Sequence, residues 1–219
     1  MSIVENIDSL VDWANADICS KIQLKNPPPE DDDNNADDVR YNYGLTTPTA
    51  FPLFLPTKDR LPPKVKANIP SVCIQLIDGE DTRKDGKMKI RMSFATWSPG
   101  KHGEDIWNPV SDSSTNNDMN IPHGARFEKA SGEYIQTCYK RDLEGWRDVW
   151  NFVDIARREI RNTDVINDTL QIIHEDGVKY GQFNQDGTPL EFYPFWFAWI
   201  EFFVKYSVTR SKKQIEYLL

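Results

Sequence analysis

Cysteine is scarce in this sequence. Cys19, Cys73 and Cys138 are widely spaced and form no CxxC pair, so a disulfide framework is excluded and reduced thiols in or near the core of a cytosolic protein are expected. Positive charge is also short. Lys and Arg number 26 against 34 Asp and Glu, for a formal net charge of -8, which argues against a general binder of the phosphate backbone. No apolar run reaches the roughly 20 residues that a helix needs to cross a bilayer. The nearest, YPFWFAWIEFFVKYSV from Tyr193 to Val208, is interrupted by Glu201 and Lys205, so no membrane association is expected. The opening MSIVENIDSL lacks the basic region, apolar block and small-residue cleavage site of an export signal, and a cytoplasm is the expected place of synthesis. Catalytic signatures are missing too. There is no GxSxG elbow, GxxxxGK[ST] loop or GxGxxG turn, and Ser98-Pro99-Gly100-Lys101 reads as a turn rather than a phosphate cradle.

What the chain does have is alternating periodicity. Ile3, Ile7, Leu10, Val11, Ala14 and Ile18 recur at helical spacing, and Ser2 with Glu5 fits the reciprocal cap that satisfies free amides at a helix start. A second amphipathic helix is predicted after Asp142, an N-cap candidate, with Trp146, Val149, Trp150, Val153 and Ile160 on one face. Between the helices, VCIQLIDGEDTRKDGKMKIRMSFATW predicts a hairpin. It has a short first strand and a polar loop ending at Asp85 and Gly86. In its second strand Met88, Ile90, Met92 and Phe94 alternate with Lys87, Lys89, Arg91 and Ser93, which leaves one wet face. YIQTCYK predicts a short strand, LQIIHEDGVKYGQF two strands around Asp176 and Gly177, and NQDGTP a turn. The expected fold class is α+β: one domain over 1–219, a mostly antiparallel sheet with two amphipathic helices packed on it, and long irregular insertions.

The insertions are of two kinds. Residues 26–70 form a proline-rich and acidic extended arm, because proline cannot donate to ladders or helix interiors. Phe51, Leu53, Phe54 and Leu55 are too apolar for a linker in water, so that half of the arm is expected to dock on its own domain or on a neighbour. Residues 98–134 are polar and aperiodic and read as a long surface loop.

The aromatic strand raises the main question. Trp196, Ala198, Ile200, Phe202, Val204, Tyr206 and Val208 form an apolar core file. The opposite file is Phe195, Phe197, Trp199, Glu201, Phe203, Lys205 and Ser207, aromatic first and polar later. Either a helix of the same chain or a neighbouring subunit must cover those rings. Phe195, Phe197, Trp199 and Phe203, with Phe51 and Phe54 of the arm, are the candidate interface residues.

No catalytic, cofactor-binding or metal site is expected. His102, His123 and His174 form no HxxxH or HxxE pair. In the acidic run 30–38, Asp31, Asp33 and Asn35 mimic a calcium loop, but Ala36 stands where glycine is needed and Asn42 where the bidentate glutamate belongs. Carboxylate pairs such as Glu201 with Asp154 are too common in an acidic chain to single out a catalyst.

The N-terminal helix, the hairpin from Val72 to Trp97, the helix GWRDVWNFVDIARREI and the strand YPFWFAWIEFF, in that order, resemble the tail terminator proteins of tailed bacteriophages. The resemblance covers about half of the chain. It implies a structural virion protein of the tail neck that forms a hexameric ring, binds the last ring of the tail tube protein, stops polymerisation and joins the head-tail connector protein. DNA would pass through the lumen without specific binding, past an acidic lining suggested by the net charge. The long segments 26–70 and 98–134 depart from the compact family pattern. Two other classes stay open. One is another neck protein, a connector or stopper. The other is a small hydrolase with a scattered site, which a pocket gathering His123, His174 and carboxylates would mark.

Overall fold

Ser2 opens the first helix by the reciprocal cap its sequence suggests. In the computed structural model of the chain, Glu5 N donates to Ser2 Oγ at 3.2 Å and Ser2 N donates to Glu5 Oε2 at 2.7 Å. The structure describes residues 2–27, 45–57, 60–61, 68–98, 126–130, 133–137, 145–185, 188–189 and 192–207. Helix α1 (Ile3–Trp13) continues as a π-helical turn, Ala14–Ile18, and a 3-10 turn, Cys19–Lys21. It buries Leu10, Trp13, Ala14 and Ile18, while Ile3 in the first turn stays exposed.

The arm then enters the fold twice. Strand β1 (Leu24–Lys25) pairs antiparallel with β2 (Leu45–Thr46), and β3 (Thr49–Pro52) runs parallel to β4 (Ser71–Asp81) at the edge of the main sheet. Ala50 N also donates to Asn15 Oδ1 at 2.8 Å, fastening β3 to the π-helical turn. Of the arm's apolar half, Phe51 and Leu55 therefore dock on their own domain, whereas Leu53 and Phe54 stay exposed.

Strand β4 and β5 (Asp85–Trp97) make the expected hairpin with different proportions. The first strand is 11 residues long instead of short. It continues through the polar stretch because a bulge between Leu76 and Asp78 resets its register against β5. Strands β6 (Arg126–Ala130) and β7 (Glu133–Thr137) pair as a separate two-stranded sheet. The stretch 98–134 thus carries a strand where an aperiodic loop was expected.

Helix α2 (Trp146–Asn162) buries Val149, Phe152, Val153, Ala156 and Ile160. Trp146 is 42% exposed, contrary to the expected face. Gly145 stands at the cap position, and Asp142 lies outside the described residues. Beyond α2 come β8 (Val165–Ile166), β9 (Leu170–Ile172), β10 (Lys179–Gln182), the small pair β11 (Asn184–Gln185) and β12 (Thr188–Pro189), and the aromatic strand β13 (Phe195–Ser207). Gly177 takes a φ of +71° in the turn between β9 and β10, a conformation that glycine adopts without a steric cost. Those two strands do not pair with each other. They sit end to end along one edge of β13, which pairs with β5 on its other edge. The main sheet runs β3-β4-β5-β13-β9-β8, antiparallel except for β3.

Both helices pack on the face formed by even-numbered residues of β4, β5 and β13. Val72, Ile74, Met88, Ile90, Met92, Phe94, Ala198, Ile200, Phe202 and Val204 are all at most 1% exposed there. Trp13 meets Phe202 edge-on at 6.5 Å, and Phe152 meets Phe94 at 4.9 Å. The fold is α+β, as the sequence predicts. Because Phe152 is fully buried, Phe152→Ala should cost about 3–5 kcal/mol of unfolding free energy. The exposed Trp146→Ala should stay within about 0.5 kcal/mol of wild type. Urea denaturation of both variants checks the contrast, and equal losses would show that α2 is seated differently.

Candidate subunit interface

Alternation sends odd-numbered residues of β5 and β13 to the sheet face away from the helices. Register pairs Phe195 with Trp97, Phe197 with Ala95, Trp199 with Ser93, Glu201 with Arg91, Phe203 with Lys89 and Lys205 with Lys87. The face therefore divides into an aromatic half and a charged half. Among the described residues no helix covers it, and the chain shields its rings by three other means.

At the aromatic end, Phe195 and Phe197 pack with Ile69, Ala95, Trp97 and Leu55 in a small second cluster. Phe192 meets Phe197 edge-on at 5.9 Å and is itself 54% exposed. In the middle, Trp199 lies across Gly181, whose missing side chain leaves room for the indole. Its Nε1 donates to Gln182 O at 2.9 Å, and the Arg91 guanidinium stacks on it at 5.5 Å. Farther along, Lys87 Nζ sits 4.4 Å from the centre of the Phe203 ring. The wet residues of β5 thus form part of the cover for the aromatic residues of β13, each cation–π contact being worth about 0.5–1 kcal/mol where exposed.

Glu201 holds the charged half together. Its side chain is 7% exposed and takes Lys89 Nζ at 2.7 Å and Arg91 Nε at 2.9 Å. Burial works to raise its carboxyl, but the hydrogen bonds and charges of Lys89 and Arg91 outweigh it and hold the group below its ordinary value of 4.5. Lys87 and Lys205 stand directly opposite, an unfavourable pairing, and each is drawn off to an aspartate, Lys87 to Asp176 and Lys205 to Asp85.

Phe195, Phe197, Trp199 and Phe203 are half-buried on this one face. The two arm residues differ. Phe51, on β3, is enclosed at 4% exposure, whereas Phe54 is 70% exposed. Between them Leu53 takes a φ of 63°, uncommon for a bulky residue, and this left-handed step turns the chain out of β3. Phe192 was missed in the sequence. Its position just before Tyr193 and Pro194 was the available signal, since it precedes the strand and breaks no pattern.

Other candidate chemistry is dispersed. His174 pairs with Asp164 at 3.2 Å, while His102, His123 and the acidic run 30–38 lie outside the described residues. Glu201 does not face Asp154, which pairs with Arg157 on α2 across the sheet. Burial pushes the Cys19 thiol up to about 12 and that of Cys73 to about 11, so both are protonated at neutral pH. Cys138 lies outside the described residues. Among the described residues there is no group of three or more potential ligands that could hold a metal ion, and no helix long and apolar enough to cross a membrane.

A depressed carboxyl pKa adds stability that is complete above the unfolded value and is lost as pH falls through the folded one. Wild type should therefore be more stable than Glu201→Gln near neutral pH, and the gap should close as pH falls through the lowered folded pKa of Glu201. Urea unfolding across that range checks the sign, and a gap independent of pH would show that the two cations do not act on Glu201 in the folded state. In comparison with known proteins, no family model, curated protein or solved structure matches this chain.

Proposed function

We propose that the chain is a tail terminator of a tailed bacteriophage, a structural subunit that forms a hexameric ring, caps the tail tube and joins it to the head connector. What supports the assembly part of this reading is the aromatic end of the outer sheet face. Phe192 is exposed against Phe197 of a small cluster that also holds Phe195 and Leu55, and Phe54, next to Leu55 in the chain, is exposed too; exposed aromatic residues of this kind usually mark contact sites. The specific identity rests on the order and pattern of the two helices, the hairpin and the aromatic strand.

A cyclic ring needs two different patches that meet head to tail. In this reading the aromatic end is one of them. The net charge of -8 suits a subunit whose ring lets duplex DNA pass without holding it.

The reading is tested with purified protein and polymerising tail tube protein from the same virus. Wild type is expected to sediment as a hexamer and to bind tube ends, shortening the tubes in electron micrographs. Phe54→Glu with Phe192→Glu should lose both properties while its unfolding midpoint stays within about 0.5 kcal/mol of wild type, as for exposed positions. Tubes that grow unchecked in the presence of wild type would overturn the assignment.

A further inference from the structure

The polar flank of α2 has a feature that packing does not explain. Asp154, Arg157, Arg158, Arg161 and Asn162 line an open concavity of about 440 Å³, the first four because residues three and four apart share one side of a helix. Arginine supplies three of these five side chains in a chain of net charge -8, so the sign of the charge is reversed locally. Arg157 is held in place: its guanidinium lies 5.3 Å over the Tyr180 ring, donates to Tyr180 Oη at 3.3 Å and pairs with Asp154 at 2.9 Å. Trp150 braces Tyr180 edge-on at 6.3 Å. Glu159 holds Lys21 at 2.7 Å and stands 3.6 Å from Arg158, so it does little for that second cation. Arg158 is exposed, and so is Arg161, which has no ion-pair partner among the described residues.

Two guanidinium groups with little compensation thus stand beside a third that is held rigid. A basic residue in the last turn also favours a helix by facing its carbonyl end. That accounts for the place of Arg161 and not for the tethering of Arg157 to Tyr180. The carbonyl end itself carries about half a negative charge, less than the two free cations. The charge count selects the ligand. A carboxylate has one charge and is satisfied by one guanidinium fork, whereas a phosphate group has a charge of about -1.5 to -2 and three strong acceptor oxygens, which suits three arginines around one concavity. The concavity is within the size range of small-molecule sites. Beyond it the chain is acidic overall, so a long polyanion would gain at the arginines and be repelled along the rest of its length.

We propose that this concavity is a binding site for the phosphate group of a small ligand. Arg158 and Arg161 supply the free forks, Arg157 the fixed one, and Asn162 adds a neutral amide. The site does not depend on the ring reading, because none of its residues belongs to the outer sheet face.

The test titrates the full chain with inorganic phosphate at neutral pH and follows the arginine Nε resonances by NMR, with acetate and chloride at matched ionic strength as controls. Phosphate is expected to shift Arg157, Arg158 and Arg161 to saturation, with an affinity at least about tenfold above that of acetate. Arg158→Gln with Arg161→Gln should weaken phosphate binding about tenfold or more while the unfolding midpoint and the sedimenting mass stay at wild-type values. Arg157→Lys keeps the charge and removes the fork and the stack, so a severalfold loss there separates a built site from general attraction. Equal shifts with acetate or chloride, or phosphate binding that survives the double substitution, overturn the proposal. A short DNA oligonucleotide that occupies the same arginines more tightly than phosphate overturns the small ligand and gives the flank to nucleic acid. A fall in mass of the double variant overturns the site and assigns the flank to a subunit contact.

Discussion

Thirteen consecutive residue pairs join β5 to β13, and the parity of that ladder decides where every other part of the molecule goes. Even residues of both strands point to the helices and odd residues away from them. A slip of one position would carry Lys87, Lys89, Arg91 and Glu201 into the core and bring Ile90, Phe94 and Phe202 to the surface. The register is also pinned at its ends. At one end Tyr206 Oη donates to Asp81 Oδ1 across Gly86, where a Cβ would collide with both groups. Burial and that aspartate push the Tyr206 phenol up to about 12, so the donor keeps its proton. At the other end Ser98 N donates to Pro194 O, and Trp196 Nε1 donates to Ser98 O.

Once parity is set, the two faces meet different demands. The helix side is a close-packed apolar layer in which Phe152 and Phe202 are buried. The other side holds rings that no described helix covers, and the chain handles them with cations. Arg91 is the clearest case, since one guanidinium stacks on Trp199 and also bonds the half of Glu201 that Lys89 leaves open. A single planar group thus couples the aromatic half to the charged half. Lysine at that position would offer no fork for the carboxylate and a weaker stack on the indole.

Periodicity made the layout readable because it reports which face a residue occupies. The core file of β13, the alternation of β5 and the apolar stripe of α2 were all visible for that reason. Three features were not. Phe51 joins the sheet through a parallel pairing with a strand about twenty residues later, a non-local contact that no local pattern encodes. Trp146 fits the apolar stripe of α2, but a helical wheel does not say which members of the stripe the sheet covers. The outer face was legible as rings on one strand and charges on another, whereas the contacts between them needed the register of two strands about a hundred residues apart. Of the candidate interface residues, the four on β13 fall together because one strand carries them, and Phe51 and Phe54 part company because Leu53 turns the chain.

The long insertion between β5 and α2 fits this design in a specific way. Ser98 and Gly145, the described residues on either side of it, touch each other. A Cβ on Gly145 would strike the carbonyl of Ser98 and the indole of Trp196, and Lys25 bonds Ser98 Oγ while pairing with Asp148 in the first turn of α2. The ladder end, β1 and the helix start are therefore bound together at one point. The described residues on either side of 28–44 are likewise held together, by the β1–β2 pair. Loops closed at their bases cost little more entropy as they lengthen, so both segments are free to grow or change without disturbing the parity of β5 and β13. Variation confined to such segments leaves the ladder intact.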